Sequence, residues 1–115
     1  MAAADLRIAK VEHAVERLRD GVQDGVLQLR GIADEVEAHG GLEAEAIRLR
    51  TIACILESAE DVPDAIRFTA PAIAAIGERL HEAEISVEGY DLRMLARVLI
   101  GRVVAADQAR TGGPW

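Results

Sequence analysis

One cysteine, one lysine, three prolines and three aromatic residues are all that 115 residues contain of those types. The lone Cys54 excludes an intrachain disulfide and a thiol cluster for a metal. It sits in the apolar run Ile52-Ala53-Cys54-Ile55-Leu56, so it is expected to be buried, inert and space-filling. With only Phe68, Tyr90 and Trp115 aromatic, the core has to be built from alanine, leucine, isoleucine and valine. Ligand cavities favour aromatic linings, so no cofactor is expected. No apolar run approaches the ~20 residues that cross a bilayer. Met1-Ala2-Ala3-Ala4-Asp5 lacks the basic and apolar regions of a secretion signal, and the expected location is cytoplasmic. Twelve arginines beside Lys10, with abundant alanine and glycine, suit a GC-rich bacterial genome.

Basic charge is also in short supply. The net charge of −7 disfavours nucleic acid and anionic membrane, both of which ask for a basic face, and leaves a protein partner as the expected one. The charge is uneven: −4 over residues 43–64 and +1 over residues 87–115, so the C-terminal segment is the least acidic.

What the chain does contain is a seam. Ile8, Val11, Val15, Leu18, Val22, Gly25, Leu29, Ile32 and Val36 recur in alternating steps of three and four between flanking charges, the pattern of a helix buried along one stripe. Gly21, Gly25 and Gly31 work against it, each interior glycine costing a helix about 1 kcal/mol relative to alanine. Asp20-Gly21 and Asp24-Gly25 are also turn dipeptides, so a rival reading is two helices over 5–19 and 26–38. Register favours one helix, because Val22 and Leu29 stay in phase with Val11 and Val15; Val26 and Leu27, off the seam, oppose it.

His39-Gly40-Gly41 is a helix stop. A second helix is expected over 42–58, with Leu42, Ala46, Leu49, Ala53 and Leu56 on its stripe, antiparallel to the first. An acidic connector then offers Asp61 or Val62 as a cap and Pro63 in the first turn of a third helix, running to about Glu84. Pro71 is expected to kink that helix, or Thr69 to cap a restart. Residues 85–91 read as a turn and 88–109 as a fourth helix. The tail 111–115, with two glycines and a proline, is expected to be loose. The fold class is therefore an all-α antiparallel bundle of about four helices, a single domain over 1–110 whose first helix is the longest.

In the fourth helix Leu92, Leu95, Leu99, Val103 and Ala106 form a core stripe that Met94 and Val98 broaden, while Ile100 and Val104 fall on another side beside Arg93 and Arg97. An apolar strip ringed by arginine has the composition of an interface, and Arg93, Arg97, Ile100 and Val104 are the candidate partner-binding residues. A second argument for association is length. A 34-residue helix reaches ~51 Å, whereas a compact domain of this size has a radius of gyration near ~13 Å. Such a helix overhangs its own bundle, and a homodimer is expected to cover it.

Candidates for chemistry are thin. Glu78-Arg79-Leu80-His81 has the glutamate-to-histidine spacing that di-iron carboxylate bundles use twice, but it occurs once and Leu80, not His81, is on the apolar stripe. An exposed His13 on a small helical bundle resembles a histidine phosphotransfer domain. The lysine and small glycine that follow the histidine there are replaced by Ala14, Val15 and Glu16, and Glu12 and Glu16 would repel phosphate. Arg7 and His13 meet the loose spacing of the HEPN nucleases, with Ile8 where a polar residue is preferred. No catalytic and no metal-binding residue is assigned. The reading is a small, acidic, non-enzymatic protein-binding helical protein, of adaptor, antagonist or inhibitor type; the alternative is a histidine-centred phosphotransfer or metal-binding bundle.

Overall fold

The computed structural model describes residues 2–85 and 91–111, with side chains over 9–85 and 91–109. The side chain of Ile8, the expected turn beyond Ile85 and the tail after Thr111 lie outside that range. Four helices and no strand are present among the described residues: α1 (Ala2–His39), α2 (Glu43–Ser58), α3 (Val62–Glu82) and α4 (Leu92–Thr111). The fold is the expected all-α bundle with a long first helix.

Ion pairs between neighbours give the directions. Arg50 reaches Asp34 and Glu37 while Arg30 reaches Glu57, so α2 runs against α1. Arg79 meets Glu45 across α3 and α2 at 3.5 Å. Arg67 pairs with Asp107 and Arg93 with Glu78, so α4 runs against α3. The helices pack in the ring α1–α2–α3–α4, with α4 returning beside α1. The α1–α2 and α2–α3 pairs are antiparallel because the segments that join them, 40–42 and 59–61, are short.

The core is aliphatic throughout. Leu29, Ile32, Val36, Leu49, Leu56, Ile66, Ile73, Leu99 and Val103 are fully buried, and Phe68 faces solvent. All five residues of the expected α4 stripe are buried, as are Leu18, Val22, Leu29, Ile32 and Val36 of the α1 seam. Val26 joins them at 5% exposure, so it broadens the seam toward α2; Leu27 is 69% exposed.

Glycines 21 and 25 do not break α1. They are where α4 comes close: an added Cβ on Gly25 would touch Leu95 and Leu99, and one on Gly21 would overlap the Arg102 side chain at 2.7 Å. Arg102 lies across α1 there and donates to the Arg17 carbonyl. Residues that read as turn formers in the sequence serve helix contact in the fold.

The helix ends follow their local chemistry. Gly40 and Gly41 have φ of +82° and +87°, and the Gly40 amide donates to the Val36 carbonyl. Asp61 caps α3 by accepting from the Asp64 amide at 3.0 Å. α3 ends with Glu84 at φ +57° and the Ile85 amide donating to the Leu80 carbonyl, which closes the last turn and brings Ile85 onto the core. α4 starts at Leu92, later than expected, because the Asp91 carboxylate accepts from the Arg93 and Met94 amides and fixes the start. Pro71 does not divide α3, which runs unbroken through it, and Thr69 caps nothing. The Thr69 hydroxyl donates back to the Ala65 carbonyl inside the helix, and Pro71 is on the exposed side.

Two corrections concern exposure. Cys54 is exposed, contrary to the expectation of burial. Ala53 and Leu56 hold the core side of α2, and one residue's rotation of 100° carries Cys54 out of it. Val15 is 36% exposed and Val11 half-buried, although both keep the seam's phase. The α2–α3 connection closes the bundle beside Arg19, and α1 continues past it alongside α4. The molecule is accordingly elongated, 59 × 24 × 22 Å, with a Cα radius of gyration of 16.1 Å.

Candidate functional site

With Leu92, Leu95, Leu99, Val103 and Ala106 turned inward, positions 93, 97, 100 and 104 fall on the flank of α4 that meets α3. On α3 the matching flank is Arg67, Ala70, Pro71, Ala74 and Glu78, again in steps of three and four. The two flanks enclose an open groove of about 510 Å³ that includes Arg93, Ala96, Arg97 and Ile100. Three of the four expected partner-binding residues are thus brought to one groove. Val104, 48% exposed, lies one turn beyond Ile100 and outside the groove.

The floor is alanine and proline; the rim is charged. Arg93 is held by Glu78 at 3.4 Å and by Asp91 at 3.8 Å. Arg67 is held by Asp107 and, at 3.7 Å, by Asp64. Arg97 is exposed and pairs with no carboxylate among the described residues. Arg67 and Pro71 were not among the candidates from sequence, although their spacing with Ala74 and Glu78 is the signal that marks this flank.

The histidines do not converge. His13 and His39 are 26 positions apart on α1, which at 1.5 Å per residue is ~39 Å. His39 Nδ1 lies 3.1 Å from the Gly40 carbonyl oxygen. His81 is exposed while Leu80 is buried, and Glu78 pairs with Arg93 at 3.4 Å. Among the described residues no group of three or more histidine, cysteine, aspartate or glutamate side chains is placed to hold a metal ion. No helix is long and apolar enough to cross a membrane.

Among the described residues two titrations are displaced, both away from the groove. Glu43 is held below the usual carboxylate range by its own backbone amide and by that of Gly41. Arg50 is raised by its bonds to Asp34 and Glu37. Both are structural contacts at the α1–α2 junction. Comparison of the chain with protein-family models, with curated proteins and with solved structures finds no match.

Proposed function

We propose that the chain is a non-enzymatic, cytoplasmic protein-binding module of adaptor, antagonist or inhibitor type that docks a protein partner on its α3–α4 face. The observation that carries this reading is the groove itself: an apolar floor of Ala70, Pro71, Ala74 and Ala96, extended by Ile100, under a rim that includes Arg97 without a carboxylate partner among the described residues. Arginine around an apolar centre is the composition of interface cores. A net charge of −7 supports a protein over nucleic acid or anionic lipid as the partner. An exposed single thiol, Cys54, suits a reducing compartment.

The same reading includes a homodimer. Residues 9–17 of α1 carry the seam beyond the α2–α3 connection, and none of them is buried. A second copy laid along Val11 and Val15 covers what the bundle leaves open.

Ile100→Asp tests the groove. Ile100 is 36% exposed and apart from the core stripe, so the variant is expected to keep the parent's circular dichroism and lose partner affinity, captured partner being quantified against the parent. A variant that folds and binds as before removes the α3–α4 face from the proposal. Unchanged protein mass after incubation with a phosphodonor, and with a divalent metal, is the result expected if the histidine-centred alternative does not hold.

A further inference from the structure

A second groove lies on the other flank of α4, against α1, and its charge is opposite to that of the molecule. Lys10, His13 and Arg17 stand along one side of α1, Arg102 reaches across from α4, and the floor is Ala14, Val98, Gly101 and Ala105. Among the described residues no acidic residue lines it. Five arginines elsewhere are neutralised: Arg30, Arg50, Arg67, Arg79 and Arg93 each hold a carboxylate. Lys10, Arg17 and Arg102 hold none among the described residues; the bond Arg102 makes is to the Arg17 carbonyl. In a chain of net charge −7, cations that could find carboxylates are gathered here without them. Helical rotation carries Glu12 toward the opposite flank of α1, and Glu16, three residues after His13, stands outside the groove lining.

Gly101 shows how closely a ligand is able to approach. Gly21, Gly25 and Gly77 are each accounted for by a neighbouring element packed against them, whereas an added Cβ on Gly101 meets nothing within 4 Å. A glycine inside a helix is destabilising relative to alanine, and no internal contact explains this one. It leaves a bare strip of α4 backbone in the floor, flanked by Ala14 and Ala105, where an incoming backbone finds no side chain in its way.

We infer that the α1–α4 groove binds an acidic amphipathic helix of a partner protein, its carboxylates facing Lys10, His13, Arg17 and Arg102 and its small or apolar positions lying on Gly101, Ala105 and Val98. Geometry favours a helix over a compact anion. Lys10 to Arg17 spans seven residues, about 10 Å of helix, which is the spacing of carboxylates at i, i+3 and i+7 on a partner. All the donors are side chains of mid-helix residues, whose amides are engaged within their own helices, so the groove lacks the free backbone amides that cradle phosphate. Among the described residues it also lacks the aromatic platforms on which single-stranded nucleic acid stacks. The groove is separate from the α3–α4 face, and its occupancy does not depend on that face being used.

The test is a titration of the full chain, followed by amide chemical shifts at low salt, with an alanine-rich helical peptide of about 15 residues, long enough to form helix. One peptide carries glutamates at i, i+3 and i+7; its counterpart carries glutamines. The glutamate peptide is expected to shift Lys10, His13, Arg17, Val98, Gly101 and Ala105 and to bind at least about tenfold more tightly than the glutamine peptide. Lys10→Glu with Arg17→Glu, both exposed and unpaired among the described residues, is expected to weaken it by a similar factor with circular dichroism unchanged. Gly101→Leu, which has open space to enter, is expected to fold and to lose the peptide, while Ile100→Asp on the other face retains it. Pyrophosphate is the contrasting probe. If pyrophosphate shifts the same residues, survives Gly101→Leu, and the two peptides bind alike, the groove is a small-anion site and the helix-binding inference is wrong. No shift at millimolar glutamate peptide, or shifts confined to residues 67–74, overturns it equally.

Discussion

Gly77 stands against Leu92 and Arg93 so closely that an added Cβ would lie 3.1 Å from the Leu92 Cβ and 3.3 Å from the Arg93 amide nitrogen. Neither atom has freedom to move, since both belong to the start of α4. Gly77→Ala is therefore expected to lose about 1–2 kcal/mol from overpacking in spite of alanine's better helix propensity. Gly101→Ala, into open space, is expected to gain up to about 1 kcal/mol. Urea unfolding of the two variants beside the parent checks the pair, and two effects of the same sign would show that the α3–α4 approach is looser than described. Arg102 belongs to the same scale. Nothing in its sequence neighbourhood distinguishes it from Arg97, yet one lies half-buried across Gly21 and the other stands free of partners among the described residues.

Helix ends decide how the elements meet. Glu84 holds φ +57° to close α3, a conformation that costs a side-chain-bearing residue about 1–2 kcal/mol and glycine much less. Glu84→Gly is thus expected to raise stability by about 1 kcal/mol, read as an upward shift of the thermal midpoint; a drop would mean that the turn's geometry is not the source of strain. At the α1–α2 junction the Glu43 carboxylate accepts from the Gly41 amide at 3.1 Å, and its folded titration lies below the ordinary value of 4.5. A depressed carboxylate contributes stability that is present above its unfolded value and is lost as pH falls through the folded one. The thermal midpoint of Glu43→Gln is accordingly expected to lie below the parent's at neutral pH and to converge with it as the pH falls below the ordinary 4.5 and through the lower folded value. A gap that persists to the lowest pH would assign the effect to something other than ionisation. The contact is fully exposed, so the gap is expected to be small.

As a whole, the molecule is a rod rather than a globule. Its Cα radius of gyration of 16.1 Å exceeds the ~13 Å of a compact chain of this length, because α1 and α4 continue past the α2–α3 connection. That overhang motivates the dimer. Light scattering during size exclusion is expected to give twice the 12.3 kDa of the chain, with small-angle scattering showing a radius of gyration above that of a single copy. Chain mass at every concentration would leave the seam over residues 9–17 facing solvent and withdraw the dimer.

Much of the architecture is written locally and was legible for that reason. Helix periodicity depends on residues three and four apart, so the stripes of α1, α2 and α4, the stop at Gly40-Gly41 and a cap at Asp61 or Val62 follow from nearest neighbours along the chain. The phase of Val22 and Leu29 identified α1 as one helix before any partner was known. The α4 flank of Arg93, Arg97, Ile100 and Val104 was legible by the same rotation. What only the tertiary structure decided was anything that needs a second element: that Gly21 and Gly25 are crossing points for α4 rather than turns, that Arg67 and Pro71 complete the groove beside Ile100, and that Lys10, His13 and Arg17 face Arg102, 85 positions from Arg17. Cys54 marks the boundary between the two. Its neighbours in the sequence are apolar, but burial is set by which side of α2 meets α1 and α3, and that choice is made by the packing of the helices.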